Sequence, residues 1–528
     1  MDWLPAVALS AALATGVLVW NPQVGDLAAQ VFRTELFQRG GLEIWNGSWY
    51  AGHYILTYSV VFPPLAALLG PRVVGALAVM ASAYLFDRLV RDRWGTAARW
   101  ATIWFAAGVV TLLADGQLTF ALGVAFGLGS LRALQLGRGR AAAALAAACA
   151  LSSPVAAAFL GGVVLVGAVE RGRPFNRAAV WVAAIALGLI TVANLVFPES
   201  GRFPFSLSSF IAIPLWCGSA LYVTRGLKKE ERQLRWAAAA YLLASIAIWV
   251  TPNPIGGNAV RLGALFGGPV LAAVVLSRRP KVSAWFLALF MAGGLYWQVT
   301  ASVSQIARSA GDPSTASSYF HPVAAWLRAH GGRGVRIEVP PTADHWEAAY
   351  LAPQFELARG WLRQLDTTRD DIFYDGDGLT RAAYAAWLRD NAVRYVALPD
   401  APLDYSSEAE KRLVLGNPHY LALRWRSPHW RVYAVRDPEP LVDPIGLAAA
   451  RTRWIGPQGF SLEVTHPGDF LVRVNFTPYW SIEQGSGCLV RRRNWTLLRT
   501  TAPGVVHVSA DFSLSRAWNA MTGARETC

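Results

Sequence analysis

Charge is scarce in this chain. Only 16% of its 528 residues are Asp, Glu, Lys or Arg, against 54% hydrophobic. That balance excludes an ordinary soluble globule and points to several membrane spans. Cysteine is scarcer still, at four residues. Cys149 and Cys217 fall in apolar runs and read as inert packing residues, and no Cys/His spacing of the zinc type occurs. Cys488 and Cys528 lie in a more polar part. They pair if that part faces an oxidising compartment, and stay two free thiols otherwise. Also missing are a Walker loop, a dinucleotide glycine pattern in strand–helix context and a nucleophile elbow, so ATP-driven transport and cofactor redox chemistry have no sequence support. Acids and bases are almost absent from the apolar spans, which argues against a proton-coupled transporter. The net charge of +14 speaks to topology, because cytoplasmic loops retain Lys and Arg. No nucleic-acid partner is expected from it.

What is present begins with apolar runs long enough to cross a bilayer, for which about 20 residues are needed. The candidate spans are 3–20, 72–90, 97–114, 118–134, 140–152, 154–169, 177–197, 207–224, 236–250, 260–277 and 282–300. No basic n-region precedes the first, so it reads as an uncleaved span. The clusters Arg88/Arg91/Arg93/Arg99, Arg132/Arg138/Arg140, Arg171/Arg173/Arg177, Arg225/Lys228/Lys229/Arg232/Arg235 and Arg278/Arg279/Lys281 then share one side. This places the N-terminus in the cytoplasm and the C-terminal part outside. Two assignments hold that arrangement together. The run 54–70 is a short helix at the outer face, stopped at Gly70-Pro71, and the run 141–169 is a hairpin broken at Ser152-Ser153-Pro154.

Composition changes near residue 311, where Gly311-Asp-Pro-Ser-Thr-Ala-Ser-Ser318 reads as a linker. The expected architecture is a polytopic α-helical membrane domain of about 11 spans over 1–305, with an outer loop at 21–70. An extracytoplasmic α/β unit over 306–440 and a β-sandwich over 441–528 follow. Strands are expected at Val335–Val339, Val393–Leu398, Trp430–Val435, Phe460–Val464, Asp469–Phe476 and Gly504–Phe512. Helices are expected at His321–Ala329 and Leu379–Asn391.

Several polar groups sit where outer loops meet spans. Asp26 follows the first span and precedes the aromatic run Ile44-Trp-Asn-Gly-Ser-Trp-Tyr-Ala-Gly-His53. It reads either as a helix-end carboxylate or as a general base for a hydroxyl. Asp115 and Gln117, in Ala114-Asp-Gly-Gln-Leu-Thr-Phe120, form either a tight turn or a hydroxyl-binding pair. Thr251–Arg261 is an irregular outer loop ending in Arg261, a guanidinium that suits a lipid-linked phosphate or snorkels at the interface. Arg72 has the same two readings. Glu43, His53, Tyr54 and Asn258 complete the candidate substrate contacts, with His53 also readable as a hydrogen-bonded structural residue. Asp344-His-Trp-Glu347 and Leu357–Asp366 read first as packing within the soluble part.

In the order of these parts the chain resembles the GT-C superfamily of integral-membrane glycosyltransferases. It looks most like the bacterial YfhO-like and 6-pyruvoyl-tetrahydropterin synthase-related membrane proteins. The likeness rests on Gly25-Asp26 after the first span, Trp49-Tyr-Ala-Gly-His53, Phe62-Pro-Pro-Leu65, the Gly-Gln-Leu-Thr-Phe120 turn, Ser-Ser-Pro154 and Gly-Gly-Asn-Ala-Val-Arg-Leu262. It implies a polyprenyl-phosphate sugar donor, a cell-envelope glycan or lipid acceptor, and an acid in the first outer loop as base, which maps to Asp26. A second acid beside it is absent, with Gly25 before and Leu27 after, so the divalent-metal requirement stays open. A non-catalytic envelope scaffold or lipid-binding protein is the rival class, and a transporter the third.

Overall fold

The computed structural model describes residues 4–169, 177–199, 201–227, 232–331, 334–374, 378–523 and 528. Arg171, Arg173, Lys228 and Lys229 of the basic clusters lie outside the described residues. The chain divides into two compact units. Unit 1 comprises Met1–Gln30, Tyr58–Val192 and Arg202–Ala310. Unit 2 comprises Val31–Thr57, Ala193–Gly201 and Gly311–Cys528.

Unit 1 is helical. Among the described residues, eight helices of the chain are long and apolar enough to cross a membrane. The other three spans expected from the sequence are Leu4–Trp20, Gly139–Ser152 and Pro154–Val169, with 17, 14 and 16 residues. The described residues therefore hold eight such helices, or nine if the bent pair Leu4–Trp20 and Gly25–Gly40 is one span, and the count of eleven is not shown. The break between the second pair lies at Ser153, whose extended backbone ends one helix before Pro154 opens the next. The run 54–70 yields only an eight-residue helix, Phe62–Leu69, ended by Gly70 at φ 88°. Burial separates the helices into two kinds. Leu118–Gln135 is 72% buried in its apolar window and forms the heart of the bundle, whereas Ala284–Ser309 is 11% buried. Exposed Trp181, Leu243, Trp285 and Leu289 make a surface that water would not tolerate and hydrocarbon would. The chain therefore reads as a multi-pass membrane protein.

The segment after the first span is not a loop, as the sequence had suggested. α1 (Leu4–Trp20) and α2 (Gly25–Gly40) meet at an 80° bend. Asn21 at φ 53° makes the turn, and Pro22, lacking an N–H, bars a continuous helix.

Unit 2 holds all the larger sheets. A five-stranded mixed sheet runs in the order Glu356–Leu357, Arg336–Glu338, Val393–Pro399, Trp430–Val435, Leu421–Arg426. Its first three strands are parallel and its last two antiparallel. Helices Ser317–His330, Arg381–Asp390 and Glu408–Leu415 accompany it. Two antiparallel four-stranded sheets follow. Phe460, Leu462 and Val464 come from one sheet and Phe470, Val472 and Leu498 from the other. All six are buried in one hydrophobic cluster, which makes the pair a sandwich. Trp45, Tyr54 and Phe197, far away in sequence, join the same cluster. Cys488 and Cys528 are joined by a disulfide, with Cα atoms 5.6 Å apart.

Candidate functional site

Within unit 1, three of the predicted residues converge. Asp26 lies in the first turn of α2, where the exposed N–H groups of a helix start favour a carboxylate. Its Oδ2 is 3.9 Å from Nη2 of Arg261, and each side chain is about a quarter exposed. This is longer than a hydrogen-bonded ion pair. Solvent, or a hydroxyl, therefore has access to both groups.

Arg261 is held by local irregularity. It sits in a single α-turn, Val260–Leu262, between a 3-10 turn, Gly256–Ala259, and a π-helical turn, Gly263–Gly267. Such turns leave backbone groups to be satisfied from outside. Tyr241 does this on one side, its hydroxyl donating to the Ala259 carbonyl at 2.9 Å and accepting from the Gly263 N–H at 3.2 Å. Gln298 does it on the other, donating to the Leu265 carbonyl at 3.3 Å. The guanidinium lies 5.2 Å from the Phe120 ring centroid, within cation–π range.

The turn 115–117 packs directly on the start of α2. A Cβ on Gly116 would sit 2.5 Å from the Leu27 nitrogen. Asp115 is buried, its Oδ2 accepting from Ser302 Oγ at 2.8 Å, and it lies within electrostatic range of Asp26 and Arg261. Gln117 is half-buried at the start of the helix Leu118–Gln135, and Asn258 is half-buried in the turn that leads to Arg261. We expect Gly116→Ala to cost about 1–3 kcal/mol, from a left-handed φ of 73° plus the Leu27 clash. Gly137→Ala, with φ 72° and open space around it, supplies the strain alone. A thermal midpoint no lower for the first variant than for the second would contradict this packing.

Other expected contacts are elsewhere. Arg72 Nη2 donates to the Pro22 carbonyl and so clamps the bend between α1 and α2. His53 and Tyr54 belong to unit 2 and are buried there. The His53 ring stacks on Trp49 at 5.5 Å. Burial, then Arg33 and Arg369, depress its pKa to about 3, which leaves it neutral and without general-acid capacity near pH 7. The Tyr54 hydroxyl meets Thr477 Oγ1 at 3.0 Å and its ring packs on Trp45 and Tyr479. Glu43 lies in unit 2, in an open cleft of about 440 Å³ with Phe32, Arg39, Ser48 and Pro457. Burial pushes its carboxyl up to about 7 against a hydrogen bond from Gln458. No group of three or more metal-ligating side chains occurs among the described residues.

Unit 2 also contains a dense buried ion network that sequence inspection read only as packing. Arg359 donates to Asp366 at 3.0 and 2.7 Å, to Glu410 at 3.4 Å and to Ser406 at 3.0 Å. Beside it, His345 stands between Glu347 and Asp404 at 3.5 and 3.6 Å. Burial disfavours the imidazolium, yet these carboxylates outweigh it and raise the pKa to about 9. Burial, then the Asp366 charge, lifts Asp370 to about 8, and burial lifts Glu410 and Glu199 to about 7.

The consequence for stability has a definite sign. Each raised acid binds its proton more tightly folded than unfolded, so its contribution is lost as pH climbs from about 4 to about 8. The His345 contribution is complete below about 6.5 and is lost as pH rises through about 9. Asp404 is pushed up by burial but held below the usual carboxylate range by His345 and Arg363, so its contribution fails only in strong acid. We expect the thermal midpoint of unit 2 in the full chain to fall between about pH 5.5 and about pH 9. A midpoint that rises over that window would contradict these environments.

The signals for Asp26, Asp115 and Arg261 were legible as polar residues at span ends. Tyr241, Ser302, Gln298 and Phe120 carried none, because each is an ordinary residue of an apolar helix. Compared with protein families and with curated proteins, the chain matches no family model and no curated sequence.

Proposed function

We propose that the chain is an integral-membrane glycosyltransferase of the GT-C kind, moving a sugar from a polyprenyl-phosphate donor to a glycan or lipid acceptor of the cell envelope. In this reading it resides in a bacterial inner membrane, with its N-terminus in the cytoplasm and unit 2 outside. The observation that carries the proposal is the approach of Asp26 to Arg261 at 3.9 Å, with the 115–117 turn packed on the same helix start. Asp26 takes the proton of the acceptor hydroxyl. The resulting oxygen attacks the anomeric carbon, and the bond from that carbon to the lipid-phosphate oxygen breaks. Arg261 meets the charge that gathers on the departing phosphate. The step as written uses only Asp26 and Arg261.

A second reading draws on the same ion pair. Asp26 and Arg261 face one another at 3.9 Å, and a non-catalytic envelope scaffold would use their attraction to fasten α2 to the bundle. Transfer of labelled sugar from a panel of polyprenyl-phosphate donors to envelope acceptors, in membranes holding wild type or Asp26→Asn at equal expression, separates the two. Transfer that disappears in the variant supports the enzyme. Transfer that is equal in both removes Asp26 from the role of base.

A further inference from the structure

The last helix of the chain, Leu514–Thr522, has two dissimilar faces. Ala517 is buried and Ala520 packs on the sandwich core. On the opposite face Leu514 is 82% exposed, Trp518 63% and Met521 41%, and Phe512 just before the helix is also exposed. Positions 514, 518 and 521 are spaced by four and three residues, which aligns them in one stripe. The helix is firmly built in this orientation. Ser513 caps it through the Arg516 N–H at 3.2 Å, Gly523 closes it at φ 67°, and Arg516 Nη2 donates to Ser481 at 2.8 Å. A helix so anchored does not turn its apolar stripe inward.

What lies next to it identifies the occupant of that stripe. The helix Arg177–Val196 is one of those able to cross the membrane, and its final residues, with Phe197, are counted within unit 2. Tyr479 donates its hydroxyl to the Val196 carbonyl at 2.6 Å. The Phe197 ring lies 5.4 Å from Tyr479 and 6.3 Å from Phe512, and Phe512 stacks on Tyr479 at 6.0 Å. Phe197 and Ala517 share one buried cluster. The exposed stripe therefore begins two residues beyond a ring packed on the end of an apolar span, the level at which that span leaves the hydrocarbon.

We propose that Leu514–Thr522 is an interfacial helix, with Leu514, Trp518 and Met521 seated in the headgroup–acyl boundary of the leaflet from which Arg177–Val196 emerges. An amphipathic helix with Trp and Leu on its outer face suits that boundary, where it sinks about 5–10 Å. Trp is favoured there because its ring is apolar and its N–H is wet. The exposed Phe512 ring extends the contact. Lipid rather than a protein partner is the occupant, because the same chain carries the span that tethers this surface to a bilayer. The inference stands whether or not the chain transfers sugars.

The test uses the full chain in lipid nanodiscs, with buried Cys149 and Cys217 replaced by alanine. Spin labels are placed singly at Leu514→Cys, Trp518→Cys and Met521→Cys, and at Leu423→Cys as an exposed position on a sheet of the same unit. We expect the three helix sites to collide with dissolved oxygen several-fold more, relative to a water-soluble nickel chelate, than the Leu423 site does. Equal nickel access at all four sites would overturn the proposal. So would spin–spin broadening in discs holding two chains, which would make the occupant a second copy. Leu514→Cys is the independent reading should the loss of Trp518 perturb the helix.

Discussion

Asp26→Asn should lower sugar transfer by about 10²–10⁴, the range in which a positioned general base contributes. The amide keeps the size of the side chain and removes its charge and basicity. If Asp26 takes the acceptor proton, the loss falls on kcat and the donor KM changes little. Arg261→Gln should cost about 10²–10³, as expected for one lost donor at the site of developing charge. Arg261→Lys should recover only part, since a point charge replaces a planar fork. A purely structural pair predicts something else. Exposed to about a quarter each, two such groups stabilise one another by no more than about 1 kcal/mol. The two substitutions would then shift the thermal midpoint slightly and equally, and leave transfer intact.

Arg359→Leu should destabilise unit 2 by about 3–5 kcal/mol, because it leaves buried carboxylates without their counter-charge. Arg359 is 2% exposed and its neighbours Asp366, Glu410 and Glu338 are equally enclosed. Its guanidinium also lies 4.0 Å from the Phe373 ring centroid, so packing and charge are lost together. Adding Asp366→Asn and Glu410→Gln to the same chain should restore part of the loss, since neutral amides leave less charge stranded. Hydrogen exchange across Val393–Pro399 and Trp430–Val435, central strands of the mixed sheet, measures the effect without requiring the whole chain to unfold at once. Protection reduced by less than about 1 kcal/mol would show that the carboxylates protonate instead of remaining as stranded charges.

These residues also show what periodicity makes legible and what it does not. The strand at Gly504–Ala510 alternates because it has one buried face, whereas Val393–Pro399 is buried at nearly every position and reads as a short apolar run. The spans Pro71–Trp94 and Arg177–Val196 instead carry long apolar runs without alternation, with the charges of the first gathered toward its ends, because hydrocarbon tolerates few polar groups on any outward side. In the segment 21–58 the pattern misled. A polar, aromatic stretch resembles a loop, yet α2 occupies residues 25–40, since polar helices held by tertiary contacts have no clean apolar stripe to announce them. For His53 the sequence left both a substrate contact and a structural residue open, because a histidine among Trp and Tyr looks the same whether the rings face a ligand or, as with Trp49, each other.

Local information therefore determined the class of this protein. Scarce charge, long apolar runs and a late change to alternating strands establish a multi-pass helical region followed by sheets, because each follows from neighbours within a few residues and from the solvent they meet. Only the tertiary structure decided which polar groups act together. Asp26, Asp115 and Arg261 are separated by 89 and 146 residues along the chain, and nothing in their spacing pairs them. Their approach depends on a turn of α2, a glycine that admits Leu27, and a π-helical turn stapled by Tyr241 and Gln298. Those are contacts between distant segments, and their free energy is carried by packing that no local window contains.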